Sequence, residues 1–443
     1  MRKLLCLCLL MVFLLSLPYS AWADKAHSFP VFFQVSYTVL EEKINNGQSF
    51  VSKEHVITCQ ESVDLEINTL VDDFEAQLAP ELPRTNNPRR NSRLDIHVIH
   101  TCSGDSCLSF LVLARETYNR NQVKSPFICR AFDMTSGESI SLVDILGEES
   151  EAWDVIAEIA WYKLDSYFPA QEADVDKLNA LCQKDALMET PFMLGPVCLT
   201  LHYEAKELYP SETSLMHVDI PYNAIRGMLT AYGERQIDNK EYKMVALTFD
   251  DGPVYTNTAK VLNSLRHHGT QATFFLVGTL IEENPDISVR EHDEMHSLQS
   301  HHYRHVGNST LERIHAETEK MENQMATTWG LGPLLFRAPY DRFQRFIDAG
   351  VSLPMIAYDV DTRDWSGRPP GSVLKTVQEQ AHDGAIIRLH DPMDTASESV
   401  DLITDWLSKN GYFCVTVEDL FIHYQEEMLP NTIYYSVNTA LNN

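Results

Sequence analysis

Basic residues are scarce in this chain of 443 residues: 35 Lys and Arg stand against 63 Asp and Glu, a formal charge of −28. Such a field repels phosphate backbones and gives no long-range attraction to anionic lipid, so no nucleic-acid partner is expected, although a local basic patch can still hold an anionic polymer. Low-complexity tracts and fixed-period repeats are missing as well, which argues against wholesale disorder and solenoid folds. The cysteines never take a C-x-x-C spacing, so zinc held by thiolates is not expected. Beyond residue 23 no stretch is long and apolar enough to span a bilayer. What is present, 44% hydrophobic and 22% charged residues, is an ordinary globular composition, and the length suits two or three domains.

The first residues carry an address. Arg2 and Lys3 precede an uncharged apolar run from Leu4 to Leu17, followed by Pro18 and Ala21-Trp22-Ala23 ahead of the first acid, Asp24. This pattern reads as a signal peptide over residues 1–23 and an exported, secreted or envelope-associated protein, with an uncleaved anchor as the alternative. Cys6 and Cys8 leave with the signal. An oxidising compartment permits disulfides, and Cys102 and Cys107 bracket a short polar turn between the strand-like runs Leu94 to His100 and Leu108 to Ala114, a spacing that suits a bridge across a hairpin mouth. Cys414, in an apolar run, reads as a buried free thiol.

Residues 26–233 read as an α+β module. Its run Ser150 to Phe168 sets Trp153, Ile156, Ala157, Ala160, Leu164 and Tyr167 on one helical face. The polar stretch 234–242 reads as a linker, residues 243–424 as a second domain opening on the buried strand Met244 to Phe249, and residues 425–443 as an unassigned tail.

The chemistry lies in the second half. The apolar run Val245-Ala246-Leu247 delivers Asp250 and Asp251 at a strand end, where Gly252 and Pro253 force a turn. Adjacent carboxylates repel, and a metal with an arginine would relieve them. His301 and His305 stand at i and i+4, on one face if the segment is helical, and with one carboxylate they make a three-ligand divalent site with open positions. The runs Phe336-Arg337-Ala338-Pro339-Tyr340, Asp359 to Trp365 and Gly384 to Asp391 then follow in order, each at the end of a strand-like segment, and Ala272 to Gly278 supplies a further buried strand.

This ordered set, spanning roughly Lys243 to Leu420, closely resembles the polysaccharide deacetylase family, also called the NodB-homology domain or carbohydrate esterase family four. The resemblance implies an α/β fold, a distorted (β/α) barrel preceded by the smaller α+β domain, with the site at the strand C-termini. It implies Asp251, His301 and His305 as ligands of a divalent metal, Zn²⁺ first, with Co²⁺, Mn²⁺ or Ni²⁺ also accommodated. Asp250 matches the catalytic base, Arg337 the arginine that orients it, Tyr340 the backbone donor of the oxyanion hole, Asp364 the partner of the catalytic histidine and His390 the general acid. Trp365, Leu389 and Arg388 fall at the substrate pocket. Four positions depart from the family pattern: Arg388 replaces an apolar residue, Asp341 and Met295 stand where Gly is common, and Ser300 stands where Asn often precedes the first metal histidine. A charged Arg388 facing an acetyl methyl would be costly unless it turns away or pairs with an acid.

In the first half, Ser136 to Leu146, Leu201 to Glu204 and Val218 to Tyr222 resemble an extracellular domain of lysozyme-sensing anti-sigma factors that also precedes some cell-wall deacetylases. The resemblances together imply a metal-dependent deacetylase of an N-acetylated glycan, peptidoglycan first, then chitin oligomers or xylan. The alternative of another class is a catalytically weakened sensor whose first domain captures a lysozyme-like protein.

Overall fold

The computed structural model describes residues 33–44, 49–82, 92–118, 121–306 and 309–437; the signal-peptide reading lies outside them. Among the described residues no helix is long and apolar enough to cross a membrane.

The first half is built on a seven-stranded sheet. Its order is Ser36–Ile44, Ser49–Ile57, Ser92–Ser103, Cys107–Tyr118, Phe127–Asp133 and Glu138–Ile140, with Asn121–Lys124 paired beside Cys107–Tyr118. Every pairing is antiparallel except that of Ser49–Ile57 with Ser92–Ser103. Parallel neighbours need a crossover, and the helix Glu61–Leu78 supplies it. That helix buries Val63, Ile67, Val71, Phe74 and Leu78, a stripe at helical spacing turned to the sheet. Helix Ala152–Ser166 buries Trp153, Ile156, Ala160 and Leu164, four of the positions expected on its inner face; Ala157 is only half-buried. A three-stranded antiparallel sheet of Phe192–Leu194, Cys198–Glu204 and Leu215–Pro221 completes this half.

Cys102 and Cys107 form no bridge. Cys102 stands opposite Leu108 and Cys107 opposite Ser103, one register step apart, so their side chains leave the hairpin on opposite faces and enter different apolar clusters. Two thiols on opposite faces of a hairpin cannot meet the geometry of a disulfide. The stretch 234–242 is docked: Asn239 is buried, accepts the Gly104 N–H at 2.8 Å and donates to the Pro196 carbonyl at 2.9 Å.

The second half is a parallel barrel wall. Strands Ser297–Ser300, Thr273–Leu276, Lys243–Gly252, Ile386–His390 and Val360–Asp361 lie in that order, and single parallel bridges carry the wall from Ser300 to Phe336 and on to Met355. Residues from the C-terminal segment fill the remaining seam. Met355 and Ile356 pair with Ile433 and Tyr434, Ser436 bridges Ala385, and the Val437 N–H donates to the Gly384 carbonyl. On the central strand, Val245, Leu247 and Phe249 face the outer helices, packing with Val261, Leu262 and Leu265. Met244 and Ala246 belong to the cluster that holds Phe275, Ile356 and Ile386. This alternation leaves the next two inward positions, Thr248 and Asp250, for the interior.

An apolar cluster joins the halves, running from Val56, Leu94 and Phe110 to Met244, Phe413 and Phe421. Beside it lies a buried ion network. Arg266 Nη2 donates to Glu54 Oε1 at 2.6 Å and Nη1 to Glu294 Oε1 at 3.1 Å, while Arg290 also donates to Glu294. Burial alone would push Glu294 up, but Arg290 and Arg266 overcome it and hold the carboxyl at about 2. That stabilisation is present above the ordinary carboxylate range and is lost as pH falls toward 2. Replacing Arg266 by Met leaves the buried Glu54 without its arginine and Glu294 with Arg290 alone, and the expected loss is about 3–5 kcal/mol in a urea or guanidinium unfolding curve at neutral pH.

Candidate active site

The site opens at the C-terminal ends of the barrel strands. Successive strand residues point to opposite faces, so Asp250 and Asp251 should diverge; a register shift between Asp250 and Gly252 opposite the neighbouring strand prevents it. Asp251 sits at φ 73°, in the left-handed region, which swings its carboxylate round to the mouth where Asp250 also points. Gly252 is required there for a packing reason. A Cβ on it would lie 2.2 Å from the Asp391 carboxylate, which accepts a hydrogen bond from Thr258 Oγ1.

His301 and His305 follow the strand Ser297–Ser300 on an irregular loop, so the helical face expected for them is not how they meet. Left-handed residues His302 (φ 73°) and His305 (φ 50°) fold the loop instead, and Ser300 Oγ accepts the His302 N–H at 3.2 Å. His301 Nδ1 lies 2.8 Å from the Arg337 carbonyl, which can only accept, so Nδ1 carries the proton and Nε2 keeps a free lone pair. Nε2 of His301 and Nε2 of His305 lie 3.3 and 3.1 Å from Asp251 Oδ1. One donor atom from each of the three residues falls within 4.8 Å of the others. Asp251 Oδ1 is buried without a hydrogen-bond partner, and the set of one carboxylate oxygen and two imidazole nitrogens fits a divalent cation.

Behind this triad sits the acid–base pair. Arg337 is fully buried; its Nη1 donates to Asp250 Oδ1 at 2.8 Å and to Thr248 Oγ1 at 2.7 Å, its Nε to the Ile356 carbonyl at 3.0 Å and its Nη2 to the Ala357 carbonyl at 2.8 Å. Burial alone would raise the Asp250 carboxyl, but the charges of Arg337, His301 and His390 hold it below its ordinary value. On the adjacent strand, opposite Asp250, stands His390. Asp364 is buried and grips it twice, Oδ1 at 2.9 Å from the ring Nδ1 and Oδ2 accepting the backbone N–H at 2.8 Å. Burial opposes protonation of His390; the hydrogen bond to Asp364 and the charge of Asp250 outweigh it, and the imidazole titrates above its ordinary value.

The rim is aromatic. Tyr340 is exposed at φ 59°, its ring 4.6 Å from that of His305, and Trp365 is also exposed. Two of the departures from the family pattern have a backbone meaning: Met295 and Asp341, standing where Gly is common, take φ 64° and 56°, a conformation glycine adopts without cost.

One pocket assignment changes. Leu389 is fully buried among the outer-helix contacts with Ile387 and Val400, because it alternates with His390 along the strand and faces away from the chamber. Arg388 does face inward, but its Nη2 lies 3.2 Å from Asp361 Oδ1 and its Nη1 3.4 Å from Asp341 Oδ1, with the guanidinium 3.7 Å above the Tyr358 ring. The charge is paired and stacked, so the cost that Arg388 would have imposed on an acetyl pocket is met. Sequence reasoning passed over Thr248, Thr258, Thr362 and Asp391. Thr362 Oγ1 donates to the Arg388 carbonyl at 2.8 Å and lies 3.2 Å from Asp364 Oδ1. Burial pushes Asp391 up to about 7. For Thr248 and Thr362, a hydroxyl two residues before an assigned acid is the available signal; Thr258 and Asp391 carry none.

Residues 237–352 match the polysaccharide deacetylase family; Asp364 and His390 lie beyond the matched stretch. A peptidoglycan-N-acetylglucosamine deacetylase of Bacillus cereus is 33% identical over 208 residues, 43% of this chain and 93% of that protein. The peptidoglycan-N-acetylglucosamine deacetylase PgdA of Listeria monocytogenes is 35% identical over 184 residues, and the peptidoglycan-N-acetylmuramic acid deacetylase PdaC of Bacillus subtilis 29% identical over 189. These alignments cover 41% and 42% of this chain and only 40% of either relative's length. With the triad, the buried Asp250–Arg337 pair and the His390–Asp364 pair gathered at one barrel mouth, and with that identity over nearly the whole B. cereus protein, the chain belongs to the polysaccharide deacetylase family.

Proposed function

We propose that this chain is a metal-dependent hydrolase that removes N-acetyl groups from peptidoglycan. The observation that carries the reading is the placement of Asp250 and His390 opposite each other on paired strands, beside the Asp251, His301 and His305 donor set. Those three residues would hold a divalent cation, Zn²⁺ in this reading, which when bound acidifies water and polarises a carbonyl.

The chain's own groups supply the rest. Asp250, kept anionic by Arg337, accepts the proton of the attacking water. The Tyr340 backbone N–H, on a left-handed turn at the mouth, donates to the oxygen that gains charge. His390, with Nδ1–H committed to Asp364, offers a proton from Nε2 to the departing amine nitrogen; the C–N bond breaks as that proton arrives, leaving acetate and a free amine. Trp365 and Tyr340 give the sugar ring exposed aromatic surface.

Peptidoglycan is chosen because the relatives carry that substrate in their names. Export agrees with it, since Arg2, Lys3 and the apolar run before Ala21-Trp22-Ala23 read as a signal and the polymer lies outside the cytoplasm. The sensor alternative rests on the resemblance of the first half to a lysozyme-sensing domain and on turnover lost through the changes around Arg388; the pairing of Arg388 with Asp361 and Asp341 weakens the second ground. The test is acetate release by the full mature chain with added Zn²⁺ or Co²⁺ from peptidoglycan, chitin oligomers and acetylated xylan. Release from peptidoglycan is expected; release from xylan alone, or from none, contradicts the proposal.

A further inference from the structure

The barrel chamber holds one donor that the proposed chemistry does not use. Arg388 stands opposite Thr248 on the paired strands, as His390 stands opposite Asp250, so alternation turns all four side chains inward. Two residues of strand rise about 7 Å, a step that the long Arg388 side chain can span. Its guanidinium is held between the loop that carries Tyr340 and the loop that carries Asp364. Nη1 lies 3.4 Å from Asp341 Oδ1, Nη2 lies 3.2 Å from Asp361 Oδ1, and the Tyr358 ring stacks on the group at 3.7 Å. Nε is buried and has no hydrogen-bond partner.

The direction of the reacting group decides what meets that donor. A glycan stays at the mouth, where Trp365 and Tyr340 are exposed, so the C–N bond to be broken points outward and the tail of the acyl group points down the chamber. Below His390 and Asp250 the wall is Arg388 and Thr248. Thr248 is already committed: Oγ1 donates to the Ile387 carbonyl at 2.9 Å and accepts from Arg337 Nη1 at 2.7 Å. Burial opposes the charge of Arg388 and the nearby carboxylates favour it, Asp250 ahead of Asp361 and Asp341, in keeping with a guanidinium beside the reacting centre.

Three kinds of acyl tail would meet Nε differently. An acetyl methyl leaves a buried N–H donor unpaired, which is costly. A carboxylate tail meets Asp250, Asp341 and Asp361, three acids around one guanidinium, and is repelled. A neutral hydroxyl on the carbon next to the carbonyl pairs the donor and adds no charge.

Resting on the deacetylase reading, we propose that Arg388 determines acyl specificity and that the preferred substrate is a glycan carrying N-glycolyl groups, from which the chain releases glycolate faster than it releases acetate from the N-acetyl form. Arg388 Nε donates to the glycolyl hydroxyl oxygen. The bond changes stay those of deacetylation: water adds to the carbonyl carbon, the C–N bond breaks, the nitrogen takes the proton of His390, and glycolate leaves in place of acetate.

One batch of peptidoglycan strands, chemically N-deacylated and then re-acylated with either glycolyl or acetyl groups, supplies the matched substrates. With the full chain and Zn²⁺, kcat/KM for glycolate release is expected to exceed that for acetate release by about ten- to a hundredfold, the size of one hydrogen bond to a charged group. Arg388→Gln and Arg388→Met remove the same charge from Asp341 and Asp361, but Gln places an amide nitrogen where Nε stood and Met places a methyl group there. The preference should persist in R388Q and fall toward one in R388M, which also reports any intrinsic difference in reactivity between the two amides. Equal kcat/KM in the parent overturns the proposal without recourse to a variant, and so does a preference that R388M retains. Release of neither acid overturns the deacetylase reading instead; calorimetric binding of the two strand preparations to the Zn²⁺-loaded chain then decides the acyl preference, and equal binding overturns that as well.

Discussion

Asp250→Asn is expected to lower kcat for acetate release by about two to four orders of magnitude, the range of a lost general base, while the chain still binds its metal. The reasoning follows the geometry. Asp250 contributes no atom to the donor set of Asp251, His301 and His305, yet it lies at the same mouth and is the carboxylate that Arg337 holds ionised. An amide keeps an acceptor for Arg337 Nη1 but cannot take a proton. Asn is the informative substitution for a second reason. Alanine would remove the hydrogen-bond acceptor of the fully buried Arg337 guanidinium as well as its counter-charge and leave a cavity, and that larger destabilisation would be confused with lost chemistry. Steady-state rates together with a metal titration of the same preparation check the expectation. A kcat within tenfold of the parent would remove Asp250 from the mechanism.

Asp364→Asn is the second large effect. The carboxylate holds His390 through two hydrogen bonds and keeps Nδ1 protonated, so that Nε2 is the nitrogen left to act. An amide at this position can donate to Nδ1 and favour the other tautomer, a change that costs about four orders of magnitude where a catalytic histidine is oriented by a carboxylate. The pH profile gives an independent sign. His390 titrates above its ordinary value, against the effect of burial, through the hydrogen bond to Asp364 and the charges of Asp250 and Asp364. The general acid is therefore present at low pH and lost as pH rises, which sets the alkaline limb of activity. Removing the Asp364 charge lowers the His390 value, so the residual activity should fall off at a lower pH than in the parent. An alkaline limb that stays in place would assign it to another group.

Much of the site could be read in the chain because its residues lie at the ends of short apolar runs, and a parallel barrel brings strand ends together whatever their separation in sequence. Asp250, Asp251, Arg337, Asp364 and His390 are all of this kind. His301 and His305 were found by a spacing that suits a helix, yet left-handed turns at His302 and His305 do the work, and no pattern of residue types announces them. Leu389 was misplaced for a simpler reason. A motif is a string, but a strand has two faces, and the residue beside His390 points to the other one. Cys102 and Cys107 failed by the same rule, since a one-step register difference separates them by the thickness of a sheet. What binds the halves left still less trace. Glu54 and Arg266 are separated by 212 positions in sequence, and the bridge from Ser436 to Ala385 that closes the barrel seam uses backbone groups every residue possesses. Arg388 shows the converse: its chemistry was visible as an anomaly, and only the partners Asp341, Asp361 and Tyr358 explain how the fold accommodates it.

The central claim is that the carboxylate at the end of one strand and two imidazoles on the loop after another would hold a single divalent ion. Cobalt titration of the metal-free chain, followed by its visible absorption, tests it most directly, because the band reports nitrogen and oxygen donors at low coordination number without reference to turnover. One equivalent of Co²⁺ should develop the band in the parent chain, and His301→Ala and His305→Ala should each abolish or strongly weaken it. Absence of stoichiometric binding in the parent, or an unchanged titration in both variants, would contradict the account.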